Sequence, residues 1–153
     1  MKKERNDVET TTNKSAGLIG LGAMGAGIAA TLRRAGHHMH VCDARPGAAS
    51  AFAAEGGTAH ATPAEVAAQC DRVVSVVVNA QQTEDVLFGP GGAASAMKPG
   101  SVFIMCSTVD PNWSIALEAR LAERGIHYID APISGGAAPA GSRAMTRVAS
   151  ARP

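Results

Sequence analysis

The segment GLGAMG places Gly20, Gly22 and Gly25 at the spacing G-x-G-x-x-G. Beside a pyrophosphate each glycine would have its own physical task. Gly20 permits a tight turn, Gly22 offers backbone without a Cβ so that phosphate oxygens can come close, and Gly25 lets a helix pack hard on a sheet. Leu21, Ala23 and Met24 complete the loop, and its N–H groups and helix dipole would face the phosphates. The pattern alone is weak in a chain with 17 glycines, where a purely structural turn is the competing reading. Asp43, about 20 residues on, strengthens it, because a carboxylate there accepts hydrogen bonds from the adenosine ribose and repels a 2′-phosphate. That points to NAD. Arg45, two residues later, could pair with a 2′-phosphate and keeps NADP as the alternative.

A second candidate is DAPISGG (130–136), with an acid, a serine and two glycines at the end of an apolar run. Two other groups carry chemistry-bearing types without a matching pattern. His37, His38 and His40 lie close together, but nothing near them supplies a metal-ligand set, so they read as half-exposed polar residues with His38 and His40 on one face. Cys42, Cys70 and Cys106 show neither CxxC nor ligand spacing, and they read as reduced, buried thiols.

These residues need elements to hold them. Apolar runs at 17–21, 38–43, 72–78, 101–107 and in IHYIDAP read as strands, with AMTRVAS (144–150) as a last one. Between them lie helices. AGIAATLRRAG has Ile28 and Leu32 on one face, with Gly36 as its stop. PGAASAFAAEGG and ATPAEVAAQC follow, and then a helix capped by Asp110 with Pro111 behind it. That last helix carries Trp113, Leu117 and Leu121 in a stripe and ends at Gly125. Alternation of strand and helix with short loops predicts an α/β fold, a Rossmann-type doubly wound, mostly parallel sheet with helices on both faces. Residues 1–15 read as a flexible tail and 16–153 as one domain.

The bulk numbers agree with one soluble domain. The chain has 153 residues and 46% apolar content, which suits a packed core. Aromatics at 3% leave that core to aliphatic side chains. A net charge of +1, with no basic run past the first residues, argues against nucleic acid or membrane surface as partner. No apolar run is long enough for a membrane span, and the first residues lack a secretory apolar stretch. A cytoplasmic location is expected.

Taken together, GLIGLGAMGAGIAATLRRAGHHMHVCD, CSTVDP and DAPISGG stand in the order and approximate spacing of the β-hydroxyacid dehydrogenases. The chain resembles that family, which includes 3-hydroxyisobutyrate dehydrogenase, from about Gly17 to Ser150. VVVNAQQTEDVLFG is closer to its L-threonate dehydrogenase branch, since Val77-Val78 stands where the 3-hydroxyisobutyrate branch usually has Leu-Pro. The resemblance implies an NAD(P)-binding domain followed by a helical domain. Residues 20–25 and Asp43 would hold the cofactor's phosphates and ribose. Val77, Val78, Gln82 and Thr108 would line the dinucleotide path, and Ser134, Gly135 and Gly136 would grip the substrate carboxylate. The competing reading of Ser134 is a turn hydroxyl serving local backbone. The implied reaction is hydride transfer between a small 3-hydroxy acid and the nicotinamide.

The family's acid/base lysine lies on the helix that opens its second domain, and this sequence has no lysine after Lys98. No residue here therefore takes the catalytic role, and the chain is expected to bind NAD without competent turnover. The alternative is a standalone dinucleotide module, or one subunit of a split enzyme with a helical partner or in a homo-oligomer. Two residues depart from the family pattern. Arg143 stands where a glycine is expected, and Arg147 puts a charge into the last strand, which an edge position tolerates.

Overall fold

In the computed structural model, residues 14–134 and the backbone of a strand at 146–147 are described. Six strands form one parallel sheet: β1 (Ser15–Ile19), β2 (His38–Cys42), β3 (Thr58–Ala59), β4 (Arg72–Ser75), β5 (Val102–Met105) and β6 (His127–Asp130). Their order is β3-β2-β1-β4-β5-β6. Every pairing within that sheet is parallel. The chain thus winds outward from β1 in one direction, returns, and winds outward from β4 in the other. This is the doubly wound, Rossmann-type arrangement expected from the alternation of elements.

The helices are α1 (Ala23–Arg34), α2 (Ala48–Ala53), α3 (Pro63–Gln69), α4 (Ala80–Phe88) and α5 (Pro111–Ala122), with a 3-10 turn at Ala93–Ser95. Two apolar clusters show how they cover the sheet. Leu18, Met39 and Val41 meet Ala29, Ile28, Leu32 and Phe52 of α1 and α2. Ile19, Val73, Phe103 and Met105 meet Val66, Leu87, Leu117 and Leu121 of α3, α4 and α5. Central strand β1 is buried on both faces, which is why it reads as an unbroken apolar run and not as an alternation.

Punctuation follows local chemistry. The Asp110 side chain accepts from the N–H groups of Asn112 and Trp113, and Pro111 follows it, so α5 starts where the sequence indicated. Gly36 and Gly125, at φ +96° and +72°, stop α1 and α5. Strand lengths differ from expectation. The first strand covers 15–19 and not 17–21, with Ser15 paired to His38. The run at 72–78 is strand only through Ser75; the Val76 N–H still reaches the Ile19 carbonyl, and Val77 and Val78 then leave the sheet. The run at 101–107 likewise shortens to 102–105. Thr146–Arg147 (β8) pairs antiparallel with Ile133–Ser134 (β7) as a separate two-stranded sheet, so among the described residues it does not extend the parallel one. Among the described residues, no helix is long and apolar enough to cross a membrane.

Candidate functional site

The C-terminal ends of the parallel strands share one edge, and the loops leaving them carry the predicted residues. A cleft of about 590 Å³ runs along this edge where the chain leaving β1 and the chain leaving β4 pass to opposite faces of the sheet, into α1 and α4. Gly20, Gly22, Asp43, Val77, Val78 and Gln82 all line it. Thr108 is exposed beyond the end of β5 and does not line this cleft, and Ser134 lies in β7. Gly135, Gly136 and Arg143 lie outside the described residues.

The glycine loop has the geometry its sequence suggested. Gly20 has φ +99°, and a Cβ there would strike the Val76 carbonyl oxygen. A Cβ on Gly25 would strike the Gly20 carbonyl oxygen, so α1 packs directly against the turn. Gly22 differs: a Cβ there would meet nothing within 4 Å. Packing does not require glycine at 22, whereas close approach of a ligand would. Gly22 is also the N-cap of α1 and offers no side-chain hydrogen bond. By contrast α3, α4 and α5 are capped by the side chains of Thr62, Asn79 and Asp110. Ala23 and Met24 form the first turn of α1, exposed and half-buried respectively. That turn has amide donors and a dipole suited to an anion.

Asp43 is bound into the loop. Its side chain is only 9% exposed. One oxygen accepts the Leu21 N–H at 2.6 Å. The other accepts the Arg45 N–H at 2.7 Å and Arg45 Nε at 3.1 Å. Arg45 Nη2 also donates to the Leu21 carbonyl at 2.8 Å. Burial works to raise the carboxyl pKa. The hydrogen bonds from Arg45 and Leu21, with the Arg45 charge, outweigh it and hold Asp43 below its ordinary value. The carboxylate is therefore ionised at neutral pH and already oriented toward the loop.

On the other side of the cleft, hydroxyls fix the segment after β4. Ser107 Oγ donates to the Val77 carbonyl at 2.7 Å and lies 3.3 Å from Thr83 Oγ1. Thr83 Oγ1 donates to the Asn79 carbonyl at 3.0 Å, and Gln82 accepts the Val78 N–H at 2.9 Å. Val77, Val78 and Gln82 are thus held by α4 and the end of β5 together, while Val78 stays 78% exposed at the rim. Ser114 donates to Asp130 at 2.7 Å and lies 2.8 Å from the Tyr128 hydroxyl, which anchors the first residue of DAPISGG on α5.

Sequence reasoning did not find Thr62 and Pro63, which line the cleft at the start of α3, nor Asp85 and Val86 from α4. Strand β3, which places Thr62 there, has two residues, too few for any periodicity. The signal for α4 was available in Asn79 followed by Gln82, a cap whose side chain accepts the Gln82 N–H. The histidines fall as expected, with the His38 and His40 rings 4.8 Å apart on one face of β2. His40 Nδ1 also lies 2.9 Å from His60 Nε2, a contact the sequence did not reveal.

A turn shaped for close approach, an open helix start and an ionised carboxylate one strand over fit the phosphates and ribose of a dinucleotide. Comparison with known proteins agrees. Residues 15–153 match the model of the "NAD binding domain of 6-phosphogluconate dehydrogenase". L-threonate dehydrogenase of Cupriavidus necator is 53% identical over 138 residues, 90% of this chain and 46% of that protein. A crystal structure of 3-hydroxyisobutyrate dehydrogenase from Salmonella typhimurium superposes with a TM-score of 0.83 at 39% identity, over 88% of this chain and 47% of that one. The cytokine-like nuclear factor N-PAC of Danio rerio is 35% identical over 82% of this chain and 27% of its own length. The chain thus spans about half or less of the length of these relatives. With nearly all of its sequence inside the matched region, the chain belongs to the family of NAD-binding domains found in 6-phosphogluconate dehydrogenase and the hydroxyacid dehydrogenases.

Proposed function

We propose that this chain is the cofactor-holding part of a dehydrogenase that moves hydride between a small 3-hydroxy acid and nicotinamide, with L-threonate the leading substrate. One observation carries the cofactor half of the reading: Gly22 has open space where a Cβ would stand, next to an uncapped helix start and an Asp43 carboxylate tied to the Leu21 N–H. In this reading the first-turn N–H groups around Gly22, Ala23 and Met24 bind the pyrophosphate, and Gly20 and Gly25 bring strand and helix close enough to present them. Asp43 takes the adenosine ribose hydroxyls. Val77, Val78, Gln82 and Thr108 guide the dinucleotide toward the end of β5, and Ser134, Gly135 and Gly136 meet the substrate carboxylate. The bound nicotinamide supplies the hydride acceptor.

The 153 residues then position the cofactor and one side of the substrate. Proton transfer at the reacting hydroxyl falls to a group outside them, supplied by a helical half of the same protein or by a partner. General acid–base assistance is worth typically about 10²–10⁴-fold, so the chain alone binds NAD and turns over hydroxy acid barely or not at all. We place its work in the cytoplasm, where the buried thiols of Cys42 and Cys70 stay reduced. A relative named as a nuclear factor supports a second reading, a dinucleotide module without catalysis. Calorimetric titration with NAD, followed by L-threonate with NADH absorbance as readout, tests both. Saturable binding is expected. No binding by the folded chain would refute the cofactor reading. No oxidation of L-threonate after the remaining half of the Cupriavidus necator relative is added would favour the module.

A further inference from the structure

A histidine pair stands behind the loop between β3 and α3. His60 follows β3, and its backbone N–H reaches the Val41 carbonyl at 2.8 Å. Its ring Nε2 lies 2.9 Å from His40 Nδ1 on β2. Its other ring nitrogen, Nδ1, faces Glu65 Oε2 at 4.0 Å. That same oxygen accepts the Ala61 N–H at 2.8 Å, while the Glu65 N–H is held by Thr62 Oγ1 at 3.2 Å. Ala61, Thr62 and Pro63 line the cleft. One carboxylate oxygen thus fastens the cleft loop and faces an imidazole.

Two ring nitrogens in hydrogen-bond contact hold one hydrogen between them: one ring donates, and the other must offer a bare lone pair. A neutral pair satisfies this, and so does a pair with one added proton. With both rings protonated, two N–H groups face each other and the contact opens. A charged His60 ring released from His40 has the Glu65 carboxylate beside it. An imidazolium–carboxylate bond carries charge on both partners, whereas the Ala61 bond carries it on one. The carboxylate then turns from the loop to the ring.

From this arrangement we propose that His60 is a positioning residue for the cleft, and that its contacts with His40 and Glu65 make cofactor affinity fall as the pair takes up protons. The inference rests on the dinucleotide reading above. Among the described residues, β1 and β3 present no charged group to the pair, β2 adds His38 and Cys42, and α3 adds Glu65 alone. His38 is bonded to Thr58 Oγ1 at 3.0 Å and not to the loop. Burial, then the charges of His38 and His60, hold His40 below its ordinary 6.5, so the opening falls below that pH. Within the cleft Asp43 is held below its ordinary value and Cys42 above it, so neither changes charge in this window.

The test is calorimetric titration of the 153-residue chain with NAD from about pH 8 to about pH 5.5, with circular dichroism checking the fold at each step. NAD suits it because neither its pyrophosphate diester nor its adenine gains a proton in that range. Wild-type affinity should fall about fivefold or more across it, the worth of one hydrogen bond to the loop. At about pH 6, titrations in buffers of different ionisation enthalpy should show protons released as NAD binds. His40→Gln, His60→Gln and Glu65→Gln should each flatten the profile and abolish the release, since glutamine keeps a polar partner without the charge. His37→Gln, whose ring lies on the Lys14 carbonyl, should behave as wild type. A merely structural role would lower affinity in the variants equally at every pH. That result, a wild-type affinity constant within about twofold, or a slope that persists in all the His40, His60 and Glu65 variants would overturn the inference and leave the dinucleotide reading standing. No NAD binding by the folded chain at about pH 8 would overturn both.

Discussion

Gly22 and Gly25 belong to one motif, and the structure predicts that adding a methyl group to each has opposite consequences. At Gly22 a Cβ meets no heavy atom within 4 Å, and the backbone sits at φ −59°, which alanine adopts freely. Gly22→Ala lowers unfolded-state entropy, worth about 0.4–1 kcal/mol in favour of folding. Alanine is a poorer N-cap than glycine, and that costs a similar amount. Stability should therefore change by less than about 1 kcal/mol, or about 2–4 °C in Tm for a chain of this size. In the proposed reading the methyl group nevertheless stands where the phosphate would approach. Losing one or two charge-assisted contacts at about 1.5–3 kcal/mol each reduces NAD affinity by tenfold or more. At Gly25 the added Cβ runs into the Gly20 carbonyl oxygen. Backbone must shift, so Gly25→Ala should destabilise the fold by about 1–3 kcal/mol or more. Thermal denaturation and calorimetric NAD titration on the two variants separate the effects. A Gly22→Ala chain that binds NAD like wild type, or one destabilised as much as Gly25→Ala, would refute the reasoning.

Two further outcomes follow from groups flanking the cleft. Ser107→Ala strips the Val77 carbonyl of its hydroxyl donor; urea unfolding should register a loss of about 1–3 kcal/mol. NAD should weaken several-fold while AMP, which the proposed reading seats at the β1–β2 end, keeps its affinity, and equal loss for both ligands would count against a positioning role. His40 packs against His38 and His60, with Thr58 bonded to His38 and Glu65 4.0 Å from His60. Burial, then the charges of His38 and His60, hold His40 below its ordinary 6.5. The unfolded chain therefore binds more protons in the window below 6.5, and stability falls as pH drops through it, levelling off below the folded pKa of His40. The fall is less than about 1 kcal/mol at a half-exposed site; urea midpoints across that window should show it, and His40→Gln should flatten it.

Much of the fold could be read because its signals are local. Asp110-Pro111 at the start of α5, Gly36 and Gly125 at helix ends, and the apolar run of β1 each specify one conformation within a few residues. The glycine loop and Asp43 were legible for the same reason. Strand ends were not. Val76, Val77 and Val78 are as β-prone as the residues before them, and past the end of β4 the Val77 carbonyl accepts not a strand partner but the Ser107 hydroxyl, from 30 residues away. Likewise β3 is a strand because Val41 and His40 pair with it, not because Thr58-Ala59 has a pattern. The His40–His60 contact and the grip of Arg45 on Leu21 join residues 20 and 24 apart, and no spacing rule reports such pairs. Local chemistry marked where the site begins, and tertiary partners decide which side chains finish it.

Asp43 shows why the two halves of the proposed ribose site cannot be tested as independent parts. The carboxylate that would accept the ribose also receives the Leu21 N–H, within the glycine loop itself. Removing it altogether, as Asp43→Ala does, leaves the Leu21 N–H and the Arg45 N–H without their acceptor, and the loop then loses one of the bonds that hold it against the end of β2, where the Gly20 N–H still reaches the Cys42 carbonyl. A fall in NAD affinity in that variant would report loop shape and ribose contact together. Asp43→Asn keeps an acceptor in place and removes the charge, so its effect isolates electrostatics from geometry. The difference in NAD affinity between the two variants measures how far the acid acts by shaping the phosphate loop and how far by meeting the ribose. With the side chain 9% exposed and two backbone donors already on it, the larger share should be the shaping.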